Sequence, residues 1–262
     1  MTVAPSIRPR ENAYGSLKRL RWMERHIKPG DRVLEVGCGT GVMITFPLCE
    51  AGVEVLGLDL DPESVAYGQR VAREIGVNPD VIRCQDLNDV SGLWNVIIVS
   101  EVLEHQTDDG VRKLLQLIRS RMAPGGTILV TSPNGRGWFE LESWLWFKLK
   151  LGRLLYMTRV ALLIATLKRR LIGGYEDSPY LSTLDGSPHL QRFSLESLSD
   201  AIADAGFLVT ESDGSVLMSG PFSHTLFTGI EPVMALNVRL GSRFKRRAAS
   251  FFVAGQAPGD GR

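Results

Sequence analysis

Glu101, Glu104 and His105 lie close together in the chain and have the composition of a reactive centre. In a helical turn, residues three and four apart share a face, so these positions would converge. Two carboxylates and an imidazole suit a divalent cation such as Mg²⁺ or Mn²⁺. Alternatively, His105 is a general base, since an imidazole titrating near neutrality can take a proton from a substrate hydroxyl. A third reading makes His105 the lining of a ligand pocket and Glu101 a turn cap. A later histidine, His189 in Ser187-Pro188-His189-Leu190-Gln191-Arg192-Phe193, precedes a helix start at Ser194 and is a candidate to face a substrate.

A second cluster has the character of a binding loop. Gly37-Cys38-Gly39-Thr40-Gly41 lets the backbone turn tightly and approach a ligand without Cβ clashes. A helix starting behind it would add free N–H groups. Val42 and Met43 follow, so the third glycine of the dinucleotide fingerprint is missing, which disfavours NAD(P). Asp59 closes an apolar run, where a carboxylate can accept from both hydroxyls of a ribose. Glu35 sits inside the strand before the glycines, and an acid there needs a partner, such as a ligand ammonium group or its water shell. Asp86 is placed to accept from an adenine amino group.

These residues need a scaffold that brings loop ends together. Apolar runs at 32–36, 53–58, 81–84, 95–100 and 127–131 read as strands. Helical patterns at 17–27, 63–75 and 111–122 alternate with them, and a further helix follows the glycine loop. Pro62 suits a first helical turn, and Pro124-Gly125-Gly126 reads as a turn. Such alternation implies a doubly wound, mostly parallel α/β sheet with ligand at the carboxyl ends of its strands. The pattern breaks after 131 and resumes with a helix at 195–205 and strands at 207–211 and 250–254.

The run from Val33 to Gly41, with Leu58-Asp59, Asp86-Leu87 and Ser100-Glu101-Val102-Leu103-Glu104-His105, resembles class I S-adenosylmethionine (SAM)-dependent methyltransferases. The resemblance covers roughly 15–135 and returns at 189–254. It implies a seven-stranded Rossmann-like sheet with an antiparallel last strand. It also implies SAM contacts at Glu35, Gly37, Cys38, Gly39, Gly41, Asp59, Leu60, Asp86, Leu87 and Ser100. The Glu-x-x-Glu-His run is similar to that of ubiquinone-pathway O-methyltransferases and small-RNA 2′-O-methyltransferases. In those families Glu101, Glu104 and His105 would correspond to a metal site, and His189 to a further histidine of the RNA enzymes. The same dipeptide also occurs in family members without metal. The catalytic candidates are therefore His105 and His189.

The chain has 262 residues, 44% hydrophobic and 23% charged, with net charge +1. That suits one methyltransferase domain over 13–256, with 1–12 and 257–262 expected to be disordered. Near-neutral charge and the lack of a separate RNA-binding module argue against nucleic acid. No apolar leader is visible and no window is long enough for a simple transmembrane helix, so a cytoplasmic location is the expectation. A hydrophobic and basic insertion, 138–186, replaces a short connection after the fifth strand. Its stretch 138–174 carries seven basic residues against two acids, Glu140 and Glu142. It reads as a lid, a dimer contact or a peripheral membrane contact. The expected function is O-methylation of a small-molecule or lipid-linked acceptor. RNA 2′-O-methylation and a non-catalytic scaffold are the alternatives.

Overall fold

The computed structural model describes residues 7–172, 179–184 and 186–259. In chain order the elements are α1 (Ser16–Glu24), β1 (Arg32–Val36), α2 (Thr45–Glu50), β2 (Glu54–Asp59), α3 (Pro62–Ile75), β3 (Ile82–Cys84) and β4 (Trp94–Ser100). There follow α4 (Asp108–Ser120), β5 (Met122–Pro133), α5 (Trp138–Ser143), a π-helical turn (Trp144–Lys148), α6 (Leu151–Met157) and α7 (Val160–Ile172). The chain closes with α8 (Leu195–Asp204), β6 (Leu208–Gly214), α9 (Pro221–Phe227), α10 (Glu231–Arg243) and β7 (Ser250–Gln256).

Among the described residues these strands form one seven-stranded sheet, ordered β3-β2-β1-β4-β5-β7-β6. The first five run parallel, while β7 lies antiparallel to both β5 and β6. The expected doubly wound sheet with its antiparallel last strand is therefore present.

Strand alternation assigns each apolar residue to one of two cores. Leu34, Ile97, Val99, Ile128, Val130 and Val253 face α4 and α8. Val33, Val96, Ile98, Leu129 and Phe252 face Leu20, Trp22 and Met23 of α1 and Leu48 of α2. A third cluster joins Val65, Val71 and Ala72 of α3 to Phe46, Ile82 and Ile7.

Several expectations are corrected. Residues 7–12 are not loose: Ile7 and Asn12 are buried, and Asn12 Oδ1 accepts from the Tyr14 amide at 2.9 Å. Packing of Ile7 against α3 supplies the apolar burial that fixes the segment. At the other end Ala257 is buried and its amide donates to the Gly126 carbonyl at 2.8 Å. Residues 1–6 and 260–262 of the expected disordered ends lie outside the described residues, as do 173–178 and 185 of the insertion. The Pro124-Gly125-Gly126 turn lies within β5 as an irregularity, since Trp94 pairs with Met122 and Val96 already with Thr127. Helices α9 (Pro221–Phe227) and α10 (Glu231–Arg243) lie in the stretch between the last two strands, where no element was expected.

The insertion is held from below by α9. Buried Glu142 accepts from the Ser223 amide at 2.9 Å and from the Ser223 hydroxyl. Trp146 meets Phe222 edge to face at 4.7 Å between ring centroids. Lys168 Nζ donates to the Thr225 carbonyl at 2.9 Å. No helix of the described residues is long and apolar enough to cross a membrane.

Candidate active site

Parallel register places the carboxyl ends of β1, β2 and β4 side by side. Val36 lies opposite Leu58 on one flank and Val99 on the other. The chain reverses its winding between β1 and β4, where a crevice is expected. The glycine loop leaves β1 at that point.

Asp59 ties this loop to β2. Its Oδ2 accepts from the Gly39 amide at 2.6 Å and its Oδ1 from the Asp61 amide at 2.9 Å. A carboxylate has about four acceptor sites, so lone pairs remain for a ligand. Gly39 holds a left-handed φ of 54°, which L side chains rarely adopt. The expected helix behind the loop starts only at Thr45 and has six residues. Intervening turn residues, with the Phe46 amide bonded to the Gly41 carbonyl at 2.9 Å, displace its N-terminus from the glycines. Backbone turns, rather than a long helix dipole, shape this cradle.

Gly68 of α3 was not singled out from the sequence. A Cβ there would run into the Thr40 carbonyl, so this glycine lets α3 pack directly beneath the loop. A glycine inside a helical pattern is the only signal that pointed to it.

Glu35 is buried and accepts from Thr45 Oγ1 at 2.5 Å. Burial pushes its carboxyl up to about 8, against smaller lowering effects from the Thr45 hydrogen bond and the Arg19 charge. The folded chain thus holds a proton that the unfolded chain has lost between pH 4.5 and about 8. Stability from this group is present below pH 4.5 and is lost as pH rises through about 8. Thermal unfolding followed against pH should show that decline in the ligand-free protein and a flatter profile in Glu35→Gln. Parallel profiles for the two proteins would contradict the assignment.

The other expected cofactor positions differ in accessibility. The Cys38 side chain is buried, Leu60 is exposed and Leu87 belongs to the core beneath the sheet. Asp86 caps the following turn through the Asn88 amide at 2.8 Å. The Ser100 hydroxyl pairs with Thr131 Oγ1 at 2.9 Å.

A strap from the end of the insertion lies on the loop. Thr40 Oγ1 donates to the Leu181 carbonyl at 2.5 Å, and the Thr40 amide to the Ser182 carbonyl at 3.2 Å. From α3, Tyr67 Oη accepts from the Leu181 amide and Ser64 Oγ from the Leu184 amide, both at 3.3 Å.

Glu101, Glu104 and His105 do not share one helical face. Glu101 precedes the 3-10 turn Leu103–His105 and has a left-handed φ of 58°. That strain of roughly 1–2 kcal/mol is typical of functional loops. Its amide donates to the Thr131 carbonyl at 3.0 Å, and its carboxylate meets Thr131 Oγ1 at 3.1 Å and Arg19 Nη1 at 3.5 Å. Glu101 therefore stands outside the group that converges, which is Glu104, His105 and His189, with ligand atoms within 4.8 Å of one another.

The approach of His189 has a backbone cause. The Glu104 carbonyl accepts from the Leu190 amide at 2.7 Å and the Gln191 amide at 2.9 Å. His105 Nδ1 lies 3.1 Å from the Pro188 carbonyl. A carbonyl only accepts, so Nδ1 carries the proton and a neutral ring presents Nε2 as its lone pair. Glu104 is buried, its Oε1 has no hydrogen-bond partner, and its carboxyl is pushed up to about 8, mainly by burial and then by the Glu101 charge.

Beside this group opens a pocket of about 280 Å³. Tyr14, Arg19, Glu101, Asn134, Phe139, His189 and Arg192 are among its lining residues. Arg19 and Tyr14 come from the N-terminal segment and α1. Their positions among helix-patterned or unpatterned residues gave no functional signal in the sequence.

A family model described as a methyltransferase domain matches residues 8–212. The ubiquinone biosynthesis O-methyltransferase of Azorhizobium caulinodans is 31% identical over 114 residues, covering 42% of this chain and 44% of that protein. The chain thus spans less than half the length of this curated relative. A SAM-dependent methyltransferase from Methanosarcina mazei shares the fold at 15% identity and a TM-score of 0.55, covering 91% of this chain and 98% of its own. The SAH-bound magnesium protoporphyrin IX methyltransferase of Synechocystis does so at 15% identity and 0.54, with 94% and 82% covered. Since the family match takes in far more than half of the sequence, the chain belongs to the methyltransferase-domain family, built on the class I fold of SAM-dependent enzymes.

Proposed function

We propose that this protein is a SAM-dependent O-methyltransferase acting on a small-molecule or lipid-linked hydroxyl. The observation that carries the reading is the placement of His105. Its Nδ1 is anchored on the Pro188 carbonyl, which leaves Nε2 as the ring's acceptor, and its edge-to-face neighbour His189, 5.0 Å away between ring centroids, lines the pocket. The O-methyltransferase relative at 31% identity supports oxygen as the accepting atom.

Bound SAM supplies the electrophilic methyl group. The chain's own residues bind, orient and accept a proton. Glu35, the glycine loop and Asp59 would hold the cofactor, and the pocket would hold the acceptor. With SAM bound, His105 Nε2 would accept the proton that the hydroxyl gives up as it takes the methyl group, the products being S-adenosylhomocysteine and a methyl ether. Transfer of this kind depends chiefly on positioning, which can supply about 7–11 kcal/mol of the barrier.

A second reading gives Glu104, His105 and His189 to a divalent cation. The unpartnered, buried Glu104 Oε1 favours it, because such an oxygen lacks the partner that burial demands. A cation there would orient and acidify the acceptor hydroxyl. Two imidazoles and one carboxylate suit Mn²⁺ or another first-row transition ion better than Mg²⁺.

Calorimetric titration with S-adenosylhomocysteine, with and without Mn²⁺ or Mg²⁺, tests both readings. Binding in either condition supports the transferase. Heat from the metal alone, lost in His189→Ala, supports the cation site. No binding of S-adenosylhomocysteine in any condition would overturn the proposed activity.

A further inference from the structure

The helical part of the insertion, from α5 to α7, packs on α9. Its underside is fixed to α9 through Glu142, Trp146 and Lys168, as described above. Its outer side is left apolar. Phe147, Tyr156, Met157 and Leu163 are 70%, 72%, 71% and 67% exposed, with Trp144 and Leu167 also exposed. More than half of the exposed large apolar side chains of the described residues fall between 138 and 167. Singly scattered apolar residues need no explanation, but so many exposed in one stretch of thirty residues point to a contact surface.

The charge of the same stretch is one-sided. From 143 to 175 the sequence has seven lysines and arginines and no aspartate or glutamate. Lys148, Lys150, Arg153, Arg159, Arg169 and Arg170 are exposed among the apolar residues. Apolar side chains interleaved with cations are what an anionic lipid surface requires, the first for the acyl boundary and the second for the headgroups. Helix α7 has 13 residues, about 20 Å at 1.5 Å per residue, too short to span and long enough to lie flat.

We propose that the exposed face of α5, the π-turn, α6 and α7 docks the protein on an anionic lipid bilayer. A second copy of the chain is a poorer occupant. Two-fold pairing through this face would set its cations, which fall in a stretch without acids from 143 to 175, against an identical set. Phe139, on the first turn of α5, also lines the acceptor pocket, so docking brings the pocket's wall to the membrane. An acceptor carried in the bilayer then reaches the site without leaving its lipid phase. The docking face stands on the surface alone, so its failure would leave the methyl-transfer reading intact.

The test is flotation of the full chain with vesicles of phosphatidylcholine and with vesicles also containing phosphatidylglycerol. Binding to the anionic vesicles is expected, weakened by salt and much weaker on phosphatidylcholine alone. Each basic residue removed should weaken it about fivefold, so Lys148→Glu with Arg153→Glu should nearly abolish it. Phe147→Ser with Leu163→Ser should weaken binding at unchanged salt dependence. These four side chains are exposed, and unchanged S-adenosylhomocysteine binding in each variant checks that the fold is intact. Absence of binding by the folded wild-type chain to either vesicle overturns the proposal. So does a dimer that Phe147→Ser with Leu163→Ser dissociates while vesicle binding is unaffected.

Discussion

Gly39→Arg should reduce S-adenosylhomocysteine affinity by about a hundredfold or more, equivalent to about 2.7 kcal/mol, while the unfolding transition stays cooperative. Two effects combine. The left-handed φ of 54° at Gly39 disfavours any side chain, at roughly 1–2 kcal/mol. A Cβ at this position would also stand 2.6 Å from the Ser182 carbonyl, on the face of the loop that the cofactor needs. Asp59→Ala should act from the other side. It removes the acceptor for the Gly39 and Asp61 amides and so frees the Gly39 end of the loop, while the Gly37 and Cys38 amides stay on the Leu58 carbonyl of β2. Asp59→Asn retains an oxygen for one of these amides and should fall between the two. Wild-type affinity in both Gly39→Arg and Asp59→Ala would move the cofactor away from this loop.

His105→Ala should lower turnover by about 10²- to 10⁴-fold, the range expected for loss of a positioned general base. Affinity for S-adenosylhomocysteine should be unchanged, because His105 lies beyond β4 rather than on the glycine loop. The companion variants separate the two readings of the site. If His105 acts alone as a base, Glu104→Gln and His189→Ala should retain much of the rate. If the three residues hold a cation, all three variants lose rate together, and the metal-binding heat disappears with it. Full activity in His105→Ala would remove the residue from the chemistry.

Much of this arrangement was legible in the sequence because it depends on local pattern. The central strands read as apolar runs since they are buried on both faces, as Val96 to Val99 show by dividing between two cores. The glycine loop and Asp59 read clearly because their spacing follows from a strand end and a tight turn. Contacts between distant segments were not legible. The pairing of His189 with His105 was only a candidate until the Leu190 and Gln191 amides were seen on the Glu104 carbonyl. Glu101 was misplaced because a helical turn was assumed where the backbone turns left-handed at that residue. Helices α9 and α10 escaped notice because Pro221 and Pro232, Gly229 and Gly241 interrupt a weakly patterned stretch. The fixed N-terminal segment depends on one buried side chain, Ile7, which no periodicity could reveal.

The strap over the glycine loop bears on how cofactor affinity should be interpreted. The Leu181 and Ser182 carbonyls occupy the hydroxyl and amide of Thr40, and therefore behave as a tethered competitor for the same cradle. Each such hydrogen bond contributes only about 0.5–1.5 kcal/mol net, so the closed form is favoured by a margin that ligand binding can readily offset. A ligand that needs the uncovered cradle has an apparent dissociation constant equal to its intrinsic one divided by the open fraction. With opening fast relative to binding, its apparent association rate is lowered by the same fraction.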